Sequence, residues 1–225
     1  MNKKFATTAL AGLLLAASAY ANTITINAGE SPTFPPTFST LATGSSPLIL
    51  APTACCGVSN SFIIAASAIG TPPLPNGQLD TDTITVSTTG AGTLFIWITE
   101  QGITAPPGTV NVTSGLTANL INGAITNVAL STFLSPTNSV SPPNGNLLDT
   151  NAFTAIGTQS NTVSMLENGT YSLQSLYVIT ATGAGNANLT IDLAANNVPE
   201  PATFGLFGGA LVVVGLLRRK RQRLK

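Results

Sequence analysis

Ten short stretches of this chain alternate in polarity or run through β-branched residues. The connections between them show no amphipathic helix period. The stretches are 23–28, 47–51, 61–69, 83–88, 92–99, 109–113, 124–133, 162–166, 171–181 and 187–193. Successive side chains of a strand point to opposite faces, so a period of two selects a sheet with one face buried. Turn formers punctuate the stretches: Pro75-Asn76-Gly77, Pro106-Pro107-Gly108, Pro142-Pro143-Asn144-Gly145 and Gly183-Ala184-Gly185-Asn186. Among the 176 residues 22–197 are 30 Thr, 17 Ser and 18 Asn, and Thr with Val and Ile suits half-buried pleated surface. Apolar residues are too frequent and too periodic for a solvated coil. The expectation is an all-β domain, an antiparallel β-sandwich of jelly-roll or immunoglobulin-like type. A β-solenoid would need a fixed repeat of roughly 20–50 residues, and none is visible. The nearest thing is Pro-Asn-Gly-Gln-Leu-Asp-Thr at 75–81 against Pro-Asn-Gly-Asn-Leu-Leu-Asp-Thr at 143–150, which would mark matching loops of two related halves.

Phe62, Phe95, Trp97, Phe133, Tyr171 and Tyr177 are the expected aromatic anchors of the sandwich. In 93–98 both alternating sets are apolar, Leu94/Ile96/Ile98 and Phe95/Trp97. Such a run suits a central strand covered on both faces, or one that presents Trp97 to a carbohydrate.

Charge narrows the function classes. The eight Lys and Arg all lie within the first four or last eight positions, and there is no His. Residues 22–197 hold seven acids and no base, a formal charge of −7. A nucleic-acid groove needs Lys or Arg against phosphate, so no nucleic acid is expected as a partner. Histidine catalysis, imidazole metal sites and Arg-clamped phosphate sites are excluded on the same count.

Both ends read as addresses. Lys3 and Lys4, an apolar run over 5–17 and the small residues Ala19 and Ala21 of an A-x-A site make 1–21 a signal peptide for signal peptidase, with cleavage before Asn22. At the other end 202–217 is uncharged and is followed by six cations within 218–225. As a helix at ~1.5 Å per residue it is short of a ~30 Å hydrocarbon core, but snorkelling Arg and Lys allow one transmembrane span. The cations favour a cytoplasmic C-terminus, with 22–197 on the far side.

Val198-Pro199-Glu200-Pro201, the short glycine-bearing apolar span and the basic cluster together resemble the PEP-CTERM sorting signal, also described as the ice-binding protein C-terminal domain. The resemblance covers about 28 residues: motif 198–201, span 202–217, tail 218–225. It implies that an exosortase, a membrane protease-transpeptidase, recognises Pro199, Glu200 and Pro201 and removes the tail. It further implies delivery to the cell surface or extracellular matrix of an exopolysaccharide-making Gram-negative bacterium. The domain between, 22–197, is the cargo.

Within the cargo few residues suggest chemistry. Cys55-Cys56 is the only cysteine pair, and export favours its oxidation to a vicinal disulfide, with interchain bridges or free thiols as alternatives. Asp80 and Asp82, after a Pro-Asn-Gly turn, with Asp149 in the similar turn, offer oxygen ligands for calcium; solvated turn residues are the alternative. No serine-hydrolase motif is present and nothing in the sequence pairs two acids for glycoside hydrolysis. The expected function is therefore a non-enzymatic surface or matrix protein associated with exopolysaccharide. A glycan- or calcium-binding module is the alternative. Ice binding is the third reading, from Thr-x-Thr at Thr23/Thr25, Thr81/Thr83 and Thr83/Thr85, and it requires those pairs to stack in register.

Overall fold

The computed structural model describes residues 22–30, 38–56, 61–70, 78–104, 108–140, 145–167 and 169–197. The expected signal peptide at 1–21, the 198–201 motif, the apolar stretch 202–217 and the basic tail lie outside the described residues. Among those described, no helix is long and apolar enough to cross a membrane.

Ten strands follow one another: β1 (Thr23–Gly29), β2 (Phe38–Ser45), β3 (Leu48–Cys55), β4 (Phe62–Gly70), β5 (Gln78–Thr88), β6 (Ala91–Ile103), β7 (Gly108–Ser135), β8 (Asn146–Phe153), β9 (Gly157–Glu167) and β10 (Tyr171–Asn197). Every ladder is antiparallel. The organising pair is β7 with β10, 28 and 27 residues long and hydrogen-bonded to each other from Ser172↔Ser135 to Asn197↔Val110. The first half of β10 also pairs with β6, ending at Thr182↔Ala91, and its second half pairs with β5 from Gly185↔Thr88 onward. β7 divides likewise, its first half pairing with β9 and its second with β8. Two layers result, ordered β2-β1-β6-β10-β7-β8 and β3-β4-β5-β10-β7-β9, and the long pair passes from one to the other.

The passage between layers is a glycine corner. Gly123 has φ +66°, and a Cβ there would lie 2.6 Å from the carbonyl oxygen of Ala184. Gly185 opposes Gly123, and a Cβ on it would lie 2.7 Å from the Asn122 oxygen. Only glycine lets the two backbones approach this closely while the ladder bends. The sequence reading of 183–186 as a turn is corrected here, because bulges at Thr180/Ala181 and Ala181/Gly185 bend β10 without ending it. Hence 109–113 and 124–133 are parts of one strand, as are 171–181 and 187–193. β2 and β8 were not among the expected strands.

The two inner faces make one core. Ile24 and Ile26 of β1, Ile64 of β4, Ile84 and Val86 of β5, Leu94 and Ile96 of β6, and Leu189 and Leu193 of β10 are fully buried. Phe62, Tyr171 and Tyr177 are anchors of this core, at 0%, 1% and 0% exposure. Phe95, Trp97 and Phe133 are not. They alternate with inward residues and lie on the outer face of the first layer, where Trp97 and Phe133 rings sit 5.8 Å apart at 40°. The tip 136–140 folds over that face: Asn138 accepts from Gln101 Nε2 and from the Gly102 N–H, and the Ser139 carbonyl accepts from Ser172 and Gln174. On this outer face Trp97 is 3% exposed, packed beside Phe133.

Candidate functional site: a buried acid cluster and a hydroxyl face

β5 and β6 carry acids in phase with their core residues. Asp80 and Asp82 continue the inward set of Ile84 and Val86, and Glu100 continues that of Leu94, Ile96 and Ile98. The layers bring them together at one end of the sandwich, at 2%, 0% and 0% exposure. Asn22 Nδ2 donates to Glu100 Oε1, and the Glu100 carboxyl occupies the space that a side chain at Gly70 would need. Ser175, also fully buried, lies beside Asp82, and the Tyr177 hydroxyl donates to the Asp82 carbonyl at 3.1 Å. A second polar contact, Ser114 to Thr132 at 2.8 Å, joins the two halves of β7 across the interior.

Residues 22–197 contain no Lys, Arg or His to pair with Asp80 or Asp82, so burial governs the protonation of these two. Loss of hydration pushes Asp82 up to about 7, an effect that the neighbouring Ser175 and Asp80 oppose and the charge of Asp192 reinforces. The same desolvation, then the charges of Asp82 and Glu100, hold Asp80 well above the usual carboxylate range. Burial likewise lifts the Tyr177 phenol, with Asp82, Asp80 and Asp192 adding to it. A protonated carboxyl can donate as well as accept, which suits a core polar layer better than a cation site.

Of the calcium candidates, Asp80 and Asp82 are thus interior, and Asp149 is on β8, accepting from the Thr150 N–H at 2.8 Å and from Gln159 Nε2 at 3.1 Å. Among the described residues no three His, Cys, Asp or Glu side chains are grouped as a metal ion would need. Glu100 is not among the calcium candidates of the sequence, although its place in the Leu94-Ile96-Ile98 alternation is a readable sign of burial.

Cys55 and Cys56 are bonded to each other. They line a cavity of about 440 Å³ with Glu30, Ser39, Leu41 and Ala54, between the ends of β1, β2 and β3. Among the described residues, Glu30 is the acid that lines it.

The outer face of the second layer is regular. Ladder register sets Ser67, Thr83, Thr190, Thr117 and Thr158 opposite one another on five neighbouring strands. Thr81, Asp192, Gly115 and Ser160 form the adjoining row. Cross-strand hydrogen bonds hold the side chains: Thr83 with Thr190 at 3.2 Å, Asn119 to Thr190 at 2.9 Å, Thr81 to Asp192 at 2.9 Å, and Thr113 with Thr162 at 2.9 Å. Thr23 and Thr25 stand on the other layer, with Thr43 at 3.5 Å from Thr25.

The fold and its polar faces define an all-β antiparallel sandwich with no cationic residue in its described part. Residues 197–221 match the PEP-CTERM protein-sorting motif, so the chain carries that sorting signal at its C-terminal end. That signal implies export and membrane-anchored sorting in Gram-negative bacteria, with an exosortase as processing partner. No curated protein matches the sequence. Among solved structures the chain is similar to the K1 cleaved adhesin domain of Lys-gingipain from Porphyromonas gingivalis W83, at 13% identity and TM-score 0.37, over 61% of this chain and 92% of that one. It is also similar to TmCBM61 in complex with β-1,4-galactotriose (9%, TM-score 0.31, 61% and 88%). A third is the C-terminal CBM6 of LamC from Zobellia galactanivorans (20%, TM-score 0.26, 49% and 79%).

Proposed function

We propose that the chain is a non-enzymatic surface or matrix component, delivered by exosortase and held among hydrated polysaccharide. One observation carries this: the sorting motif begins at Asn197, the last residue of β10, so the signal runs directly out of the strand that binds β5, β6 and β7. Cleavage after the motif leaves every described strand in place. The row of Ser67, Thr83, Thr190, Thr117 and Thr158 suits contact with a hydroxylated polymer, since it offers donors and acceptors without charge. Catalysis finds no support in the acids. Asp80, Asp82 and Glu100 are closed off from substrate, and among the described residues the cavity beside Cys55 is lined by a single carboxylate, Glu30. Calcium has no part in this reading, because Asp80 and Asp82 point inward and Asp149 is engaged by Thr150 and Gln159.

The test is intact mass and C-terminal peptide mapping of the protein recovered from its host, beside a Glu200→Ala variant. The expected wild-type product starts at Asn22 and ends within 198–201, and the variant keeps Arg218–Lys225. A wild-type chain that retains the basic tail overturns the reading. The in-register rows of Thr83, Thr190, Thr117 and Thr158 also favour a second reading, ice binding, which normal ice growth in the presence of the purified protein rejects.

A further inference from the structure

Each layer ends in two edge strands, and three of the four are interrupted. β3 carries Pro52, and its pairing with β4 breaks between Leu50 and Thr53. β2 meets β1 through a register shift at Ile26/Asn27. β8 is eight residues long, and a shift at Thr132/Phe133 interrupts its pairing with β7. These are the devices that keep a sheet edge from recruiting another strand. β9 has none of them. It pairs with β7 over eleven consecutive positions, Gly108↔Glu167 to Ala118↔Gly157, without a shift. It contains no Pro, Lys or Arg, and its one charge is the terminal Glu167. Among the described residues its other edge carries no strand. Thr158, Ser160, Thr162 and Ser164 are exposed, Leu166 is 62% exposed, and Val163 and Met165 are half-buried against the core.

We infer that β9 is an assembly edge, pairing antiparallel with β9 of a second copy of this chain. This goes beyond the proposed sorting and matrix role, since it says how copies join. The occupant follows from self-complementarity under a two-fold axis. Centred on Thr162, the pairing sets Glu167 opposite Gly157, Leu166 opposite Thr158, and Ser164 opposite Ser160. No like charges meet, although each domain carries −7. The exposed edge of Leu166 and the flanks of Val163 and Met165 gain cover, and the hydroxyl rows continue from one copy into the next.

Sedimentation of the protein purified from its host, at micromolar concentration and low salt, tests this. The wild type sediments as a dimer. Thr162→Lys and Thr162→Glu each place like charges across the axis and weaken association at least about tenfold, while their equimolar mixture restores the dimer. Ala51→Lys, on the Pro52-bearing β3 edge, leaves association as in the wild type. Unchanged melting temperatures in the two Thr162 variants show that the fold is kept. A monomeric wild type overturns the inference, as do Thr162 variants that still dimerise alone, a mixture that stays monomeric, or loss of the dimer in Ala51→Lys.

Discussion

The Glu100 carboxyl sits directly over the Cα of Gly70, in the volume where any side chain at position 70 would begin. β4 supplies the gap and β6 the acid, and Asn22 holds the acid there by its amide. Asp80, the pairing partner of Gly70 on β5, completes the cluster. Gly70→Ala should therefore cost about 2–4 kcal/mol, as overpacking of a polar core site. Combined with Glu100→Ala, which empties the same volume, the loss should be less than additive. Urea unfolding of the two single variants and the double variant checks this, and additive losses would show that the two residues do not share the space.

Stability should fall as pH rises, contrary to the usual behaviour of paired carboxylates. Asp82 binds its proton more tightly folded than unfolded, because burial raises it to about 7. Its contribution is complete below about pH 4, is lost as pH climbs to about 7, and levels off above that. The shift corresponds to something on the order of 4 kcal/mol, and Asp80 acts in the same direction. Thermal unfolding between pH 4 and 8 should show the decline, and Asp82→Asn should flatten it. A melting temperature that rises over this range in the wild type would contradict the assignment.

At the corner, Gly123→Ala meets both a left-handed φ and the Ala184 carbonyl, and should destabilise by about 3 kcal/mol or more. Gly169→Ala has nothing within 4 Å of the added carbon and should change stability by no more than about 0.5 kcal/mol. Chemical denaturation of this pair separates the corner from a general cost of replacing glycine.

Trp97 is the only tryptophan, so its fluorescence reports one place. At 3% exposure beside Phe133, it should emit at short wavelength and resist acrylamide quenching. Phe133→Ala should red-shift the emission and raise quenching, with a stability loss of about 2 kcal/mol. Quenching by soluble oligosaccharide in the wild type would mean that the face opens to ligand, against the burial of Trp97 beside Phe133.

Much of the strand content was readable because alternation is local. The 61–69 and 92–99 stretches declare which residues share a face, and the structure keeps those sets together in β4 and β6. The long strands were misread where glycines clustered, since Gly183 and Gly185 look like a turn and act as a bend. Local sequence cannot tell the two apart, because what distinguishes them is whether a neighbouring backbone continues the ladder. β2, with its Thr, Gly and Ser, is an edge strand without a strong alternating set, and it owes its place to pairing with β1.

The sequence alone determined the PEP-CTERM sorting tail, the absence of cations from residues 22–197, and the all-β class. Each of these depends on residue type and short-range order. Tertiary structure decided that Asp80, Asp82 and Glu100 share an interior, that Trp97 stands on an outer face, and that Thr83, Thr190, Thr117 and Thr158 lie in one row. Those relationships join residues far apart in the chain through strand register and layer packing, and register is set by the whole ladder, corner included, rather than by any segment of it.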